Sequence, residues 1–439
     1  MARPGRKPDK AFPPTAIAVS AAGGSGAAGR RCEPLSLEPL CACDRSAEPI
    51  AECRGTGAGS GRCRLAVLTI ASLCACAISL AGCAAPAPPA TPTRVATSAS
   101  APLFAASHAT SPAAPVPDYW PTNGWRSASP ESQGKDSTIL ARLTSAVADG
   151  RLGVHSVLVV RNGYLVAERY APPYTAETHH VNFSVTKSFV STLVGIAIDR
   201  GRLSDVRAPV VGLFPERDFT HLDNHDARKR ALTVEDLLTM RAGFEWSESR
   251  DAHGGFEKSA NWLDYVLDLP MAESPGSRFN YCSGCSHLLS EIVQQSTGTP
   301  TLDFARRELF APLGIADYRW ETDPDGTACG GWGLRLTPRD MAKLGYLYLN
   351  DGRWDDRQVV SAEWVRQATK THVTLDDGFG YGYQWWTYRP LDAYFARGKA
   401  GQLIVVVPSK SLVVVFTSET PSDLPLLKLI EEYVIPAVR

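Results

Sequence analysis

The sequence predicts an α/β (α+β) fold in which a single antiparallel sheet is built from both ends of one domain. Helices flank the sheet, and a mostly helical insertion runs from about residue 203 to 340. Three observations carry this prediction. Two strand-like runs come early, at 156–160 and 164–170, flanking Arg161-Asn162-Gly163, and an Asn-Gly pair favours a tight hairpin. Strand-like runs return only late, at 381–386, 394–397, 402–407 and 412–417. Helical patterns fill the space between, as expected when helices cover a sheet.

Each element has a local reason. The apolar run Phe189 to Ile198 predicts a helix that starts near Ser184 and stops near Gly201. Thr233-Val234-Glu235-Asp236 has the form of a capping sequence ahead of Leu237-Leu238. Further helical stretches are expected at 262–267, 288–295 and 303–309. Thr337-Pro338 is expected to cap a helix from Arg339 to about Tyr348, because proline suits the first helical position. A closing helix is expected over 426–434.

Ahead of this domain the composition changes. Residues 1–64 are rich in Gly, Ala, Pro and Arg, carry ten basic and six acidic residues, and show no sustained apolar periodicity. Arg62-Cys63-Arg64 precedes an apolar run from Leu65 to Leu80 that ends in Leu80-Ala81-Gly82-Cys83. A basic start and a run shorter than a bilayer span describe a signal peptide. The ending resembles the bacterial lipoprotein box, which implies lipidation at Cys83. Residues 1–83 are therefore expected to be a long leader plus lipoprotein-type signal, and 84–116 an extended Ala/Pro/Ser/Thr tether. Residues 117–439 would form the main globular domain, exported and lipid-anchored to a bacterial membrane. The overall charge of −1 gives no hint of a nucleic-acid surface.

Ser184-Val185-Thr186-Lys187 is the most informative stretch. Residues three apart share a helix face, so Lys187 could reach the Ser184 oxygen. A helix N-terminus adds unpaired N–H groups and partial positive charge. A serine nucleophile needs both a base for its proton and donors for the oxyanion that follows. A second match, Ser132-x-x-Lys135, contains Gly134 and follows Pro130, and reads as loop. No Gly-x-Ser-x-Gly elbow occurs. The pair His221 and His225 lies among charges and reads as a solvated loop, so no metal or cofactor is expected.

From Ser184-x-x-Lys187 onward the chain resembles serine hydrolases of the class C β-lactamase and penicillin-binding-protein-like family over roughly residues 150–420. The resemblance rests also on Arg278-Phe279-Asn280-Tyr281-Cys282-Ser283-Gly284, Leu237 to Phe244, Gly330-Gly331-Trp332-Gly333-Leu334 and Gly380 to Trp386. Gly243-Phe244-Glu245-Trp246-Ser247-Glu248 and Gly401-Gln402 look closest to the branch of amide-oligomer hydrolases, the 6-aminohexanoate-dimer type, and esterases. The resemblance implies a β-lactamase/transpeptidase-like fold and an acyl-enzyme mechanism on a small ester, amide or peptide. β-Lactamase or D,D-peptidase activity, or a catalytically silent sensor or peptidoglycan-binding domain, are the alternatives on the same fold.

The same resemblance implies roles. Ser184 matches the nucleophile, Lys187 the amine that shares its proton, and Tyr281 the phenol beside them; either Lys187 or Tyr281 could be the acylation base. Ser283 stands where an Asn is commoner. The third family motif, on the strand lining the site, aligns with Ala396-Arg397-Gly398, so the leading cation is missing. Gly398 lets the strand approach a substrate. The second oxyanion donor would be the N–H of Lys399, or that of Gln402 if one residue is inserted. Arg397 or Lys399 could replace the missing cation, and the aromatics around Trp385 and Trp386 could seat an apolar group or equally belong to the core.

Eight of the eleven cysteines lie at or before Cys83. Of the rest, Cys282-x-x-Cys285 and Cys329 are expected to be small buried fillers, with a bridge from one of the pair to Cys329 as the other option.

Overall fold

The computed structural model describes residues 117–148, 150–215, 217 and 224–439. The signal-like run, Cys83 and His221 lie outside the described residues. Eight strands form the main sheet: β1 (Val154–Arg161), β2 (Tyr164–Tyr170), β3 (Val373–Thr374), β4 (Phe379–Tyr381), β5 (Trp386–Tyr388), β6 (Ala393–Gly398), β7 (Gln402–Val407) and β8 (Leu412–Ser418). Their order is β2-β1-β8-β7-β6-β5-β4-β3, every pair antiparallel. The early hairpin thus joins the last strand at the sheet's centre, with Val157 opposite Phe416. Asn162 and Gly163 both take positive φ, 49° and 87°, as the tight turn requires.

Both faces of the sheet are covered, which is why its central strands read as unbroken apolar runs. Leu403, Val405, Val414 and Phe416 pack with Leu140 and Leu143 of the helix Ser137–Ala148 and with Leu426 and Ile430 near the C-terminus. Alternate residues, Ile404, Val406, Val413 and Val415, face the larger core with Phe189, Leu193 and Leu344. Gly345 keeps the helix Pro338–Leu349 close to the sheet, since a Cβ there would lie 2.6 Å from Val413 Cγ1.

The insertion is mostly helical, with Val234–Leu238, Trp262–Asp268, Ser283–Thr297 and Thr301–Ala305 as its α-helices. The Thr233 capping box forms as expected. Two expectations change. The helix expected from 288 begins at Ser283 instead. The expected strand 381–386 is two strands, broken where Gln384 takes φ 61°. The break is fixed by hydrogen bonding: Gln384 Nε2 donates to Leu237 O and Leu238 O at 3.0 Å each, and Ser188 Oγ donates to Gln384 O at 2.7 Å. Burying those groups with partners outweighs continuing the ladder.

Candidate active site

Ser184 lies in a 3₁₀ turn, Phe183–Val185, that runs straight into the α-helix Thr186–Asp199. Phe183 holds φ 45°, a conformation uncommon outside glycine. Gly398 passes directly over this turn. A Cβ on it would sit 2.3 Å from Asn182 O and 3.3 Å from Val185 N, so only glycine lets β6 lie this close. Ser184 and Gly398 therefore share one wall of a cavity of about 980 Å³ that also receives Lys399, Tyr281, Ser283 and Trp386.

Lys187 points inward, with 1% of its surface exposed. Its Nζ donates to Ser184 Oγ at 3.0 Å, Ser283 Oγ at 2.9 Å and Gly331 O at 2.8 Å. Those are all three donors an ammonium has. Gly331 can bring its carbonyl here because the Gly330-Gly331 backbone lies against the Ser283 helix; a Cβ on Gly330 would be 2.0 Å from Ser286 O. Tyr281 presents its ring to the lysine, with Nζ 4.9 Å from the centroid, and stacks on Trp386 at 6.0 Å. The Ser184–Lys187 pair and the Tyr281–Ser283 pair, with Lys187 and Ser283 96 residues apart in sequence, thus meet at one point. The second Ser-x-x-Lys does not: Lys135 turns away to donate to Val434 O at 2.7 Å, and burial pushes its amine down to about 7.

Glu248 is the residue that sequence reasoning missed. Ser283 Oγ donates to Glu248 Oε1, Ser283 N–H donates to Oε2 at 3.0 Å, and Trp246 Nε1 donates to Oε2 at 2.8 Å. Asn280 Nδ2, donating to Trp246 O at 2.9 Å, ties the two segments together. The only signal for Glu248 was its place in the stretch Gly243–Glu248.

The far wall bears on three of the residues considered. Gln402 is not among the cavity-lining residues, and its side-chain amide donates to Ser418 O at 2.6 Å. Arg397 lines the cavity but is held by Asp423, at 2.6 Å from Nε and 2.8 Å from a terminal nitrogen. Trp385 is buried in the core against Tyr348, leaving Trp386 as the aromatic wall.

The cysteines also differ from expectation. Cys282 and Cys285 are buried, as expected, but joined to each other, while Cys329 is buried and free. The helix that begins at Ser283 places residues 282 and 285 on one face with Cα atoms 5.3 Å apart, within disulfide range. One turn on, His287 Nε2 lies 3.1 Å from Asp323 and 3.6 Å from Glu291, all three buried. Burial alone would push the imidazole down. The bonds to Asp323, Cys329 and Glu291 overcome it and hold His287 well above its usual range. This trio could hold a metal ion by ligand spacing, but the imidazole nitrogen that would bind it is already engaged with the two carboxylates.

A lysine-paired serine at the head of a buried helix, beside an antiparallel strand, marks a class of serine hydrolases. The chain belongs to that class through the Beta-lactamase family, whose pattern it matches over residues 139–435. It is 27% identical over 290 residues to the 6-aminohexanoate-dimer hydrolase of Paenarthrobacter ureafaciens, covering 60% of this chain and 72% of that protein. It is 26% identical over 269 residues to penicillin-binding protein 4 of Amycolatopsis lactamdurans, covering 52% and 69%. Its fold is similar to that of a family VIII carboxylesterase, with a TM-score of 0.55 and 16% identity, covering 68% of this chain and 96% of that one.

Proposed function

We propose that this serine hydrolase cleaves a small ester or amide through an acyl-enzyme on Ser184. The observation that carries the reading is the Lys187 ammonium, buried and bonded to Ser184 Oγ at 3.0 Å. In the neutral form Lys187 takes the Ser184 proton as Oγ attacks the carbonyl carbon. The N–H groups of Ser184 and Lys399 are the proposed donors to the oxyanion. Lys187, with Tyr281 beside it, then returns the proton to the leaving alcohol or amine. A water repeats the sequence to free the acid.

The cavity favours ester or amide over β-lactam. A β-lactam carries a carboxylate that needs a cation, and Arg397 is already committed to Asp423. Ala396 is buried in the core and offers nothing in its place. Losing such a charge-assisted bond costs about 1.5–3 kcal/mol. Catalytic efficiency on a short-chain p-nitrophenyl ester or a linear amide is therefore expected to exceed that on a chromogenic cephalosporin by at least about tenfold. Equal or better cephalosporin turnover would mean that Lys399 supplies the missing charge, and the ester or amide reading would fall. Reversible ligand binding with no turnover and no labelling by a fluorophosphonate would favour a silent sensor.

We also propose export, with Cys83 lipidated. The Arg62 to Cys83 pattern supports it, as does the Cys282–Cys285 pairing, which suits an oxidising compartment. A palmitate analogue should label the parent protein and not Cys83→Ala. Equal labelling of the two would refute the proposal.

A further inference from the structure

We propose that Glu248 activates Lys187 by accepting its proton through the Ser283 hydroxyl; the inference rests on the acyl-enzyme reading at Ser184 and Lys187. Lys187 Nζ donates to Ser283 Oγ at 2.9 Å, and the same oxygen donates to Glu248 Oε1. A hydroxyl that accepts on one side and donates on the other passes a proton without moving. Ser283 takes a proton from Lys187 as its own goes to Glu248. The products are a neutral amine, an unchanged serine and a neutral carboxylic acid, so proton and charge balance. The amine can then take the Ser184 proton.

Two further features support the path. Glu248 is held in place by the Ser283 N–H at 3.0 Å and Trp246 Nε1 at 2.8 Å, both on its other oxygen. Oε1 is thereby left to the relay. And because Ser283 is shorter than the commoner asparagine, it leaves room for a carboxylate behind it. Glu248 works through Ser283, so it is a positioning and proton-holding residue.

The surrounding charges do not supply an equivalent acceptor. Asp251, one turn along, is engaged by Arg250 at 2.9 Å. Glu257 on the cavity wall pairs with His253 at 3.4 Å. Tyr281 offers Lys187 its ring face. Tyr381 is kept protonated by burial first, and by the nearby Glu248 carboxylate. His287, on the Ser283 helix, is committed to Asp323 and Glu291.

The direction of a pH shift tests the relay. With it, Lys187 and Glu248 share one proton through the working range, and reactivity falls only when a second proton is taken up in acid. In Glu248→Gln the lysine must release its proton to solvent, and the acid limb moves to higher pH. If Glu248 instead only stabilises the ammonium, removing its charge favours the neutral amine, and the limb moves to lower pH. The rate of fluorophosphonate labelling at Ser184 should be measured across pH for the parent, Glu248→Gln and Ser283→Ala. A His253→Gln background removes from the profile the one imidazole among the described residues that line the cavity. The expected result is an alkaline shift of at least about one unit in both variants, a tenfold loss of rate at a fixed pH on the limb. Ser283→Ala breaks the path even if Glu248→Gln does not fold. A limb that stays still or moves to lower pH overturns the relay, with labelling at Ser184 intact. Labelling that persists in Ser184→Ala overturns the acyl-enzyme reading itself.

Discussion

Replacing Ser184 by alanine is expected to lower turnover by at least about a thousandfold while leaving the protein folded. Alanine keeps the turn at Phe183–Val185, and Lys187 retains Ser283 and Gly331 as partners. What is lost is the atom proposed to bond to the substrate. Ser283 Oγ, the hydroxyl that shares Lys187 with it, is tied between Lys187 and Glu248. Lys187→Ala and Tyr281→Phe should each be nearly as damaging. Combining either with Ser184→Ala should add little, because groups that act as a unit are not additive. Steady-state turnover of a p-nitrophenyl ester, with a thermal melt to show folding, checks the whole set. A folded Ser184→Ala protein that keeps most of its activity would overturn the mechanism.

How far the sequence reaches depends on the kind of contact. Ser184 and Lys187 were legible because three residues apart is a helical neighbour relation, and the apolar run behind them announced the helix. The sheet built from both ends was legible because strand-like runs cluster at 156–170 and 381–417. Ser283 and Tyr281 could be placed beside the lysine only by resemblance to a family motif. Glu248 could not be placed at all. It reaches the site because the turns around Trp246 bring residue 248 against residue 283, and Asn280 clamps the two segments. No local pattern encodes such a contact. The side chains of Gln402 and Arg397 were illegible for a related reason: their partners Ser418 and Asp423 decide where they point. The split at Gln384 likewise answers to a helix nearly 150 residues earlier, at Leu237 and Leu238.

The largest stability effect is expected from a site the chemistry never touches. His287→Leu should destabilise the protein by about 3–5 kcal/mol, because removing one member of a buried charge cluster strands the others. Glu291 and Asp323 would be left facing each other with 5% of each residue exposed. The pH dependence gives the sign. His287 is held well above its ordinary range, so its contribution is complete below the unfolded imidazole value of about 6.5 and fades as pH rises through the folded value. Asp323 is held low by the histidine despite its burial, so its contribution is lost only as pH falls below the carboxylate range. In His287→Leu the stranded carboxylates are raised instead, and the variant weakens as pH climbs from about 4 toward neutrality. The deficit relative to the parent should therefore be greatest near neutral pH and smaller at about pH 4. Urea unfolding of both proteins across that range tests it. The consequence for the active site is indirect but specific: the helix carrying His287 begins at Ser283, and the Gly330-Gly331 backbone packed on it gives Lys187 its third acceptor. A deficit of the same size at pH 4 and pH 7 would show that the cluster carries no net charge coupling, and that His287 matters there only for its shape.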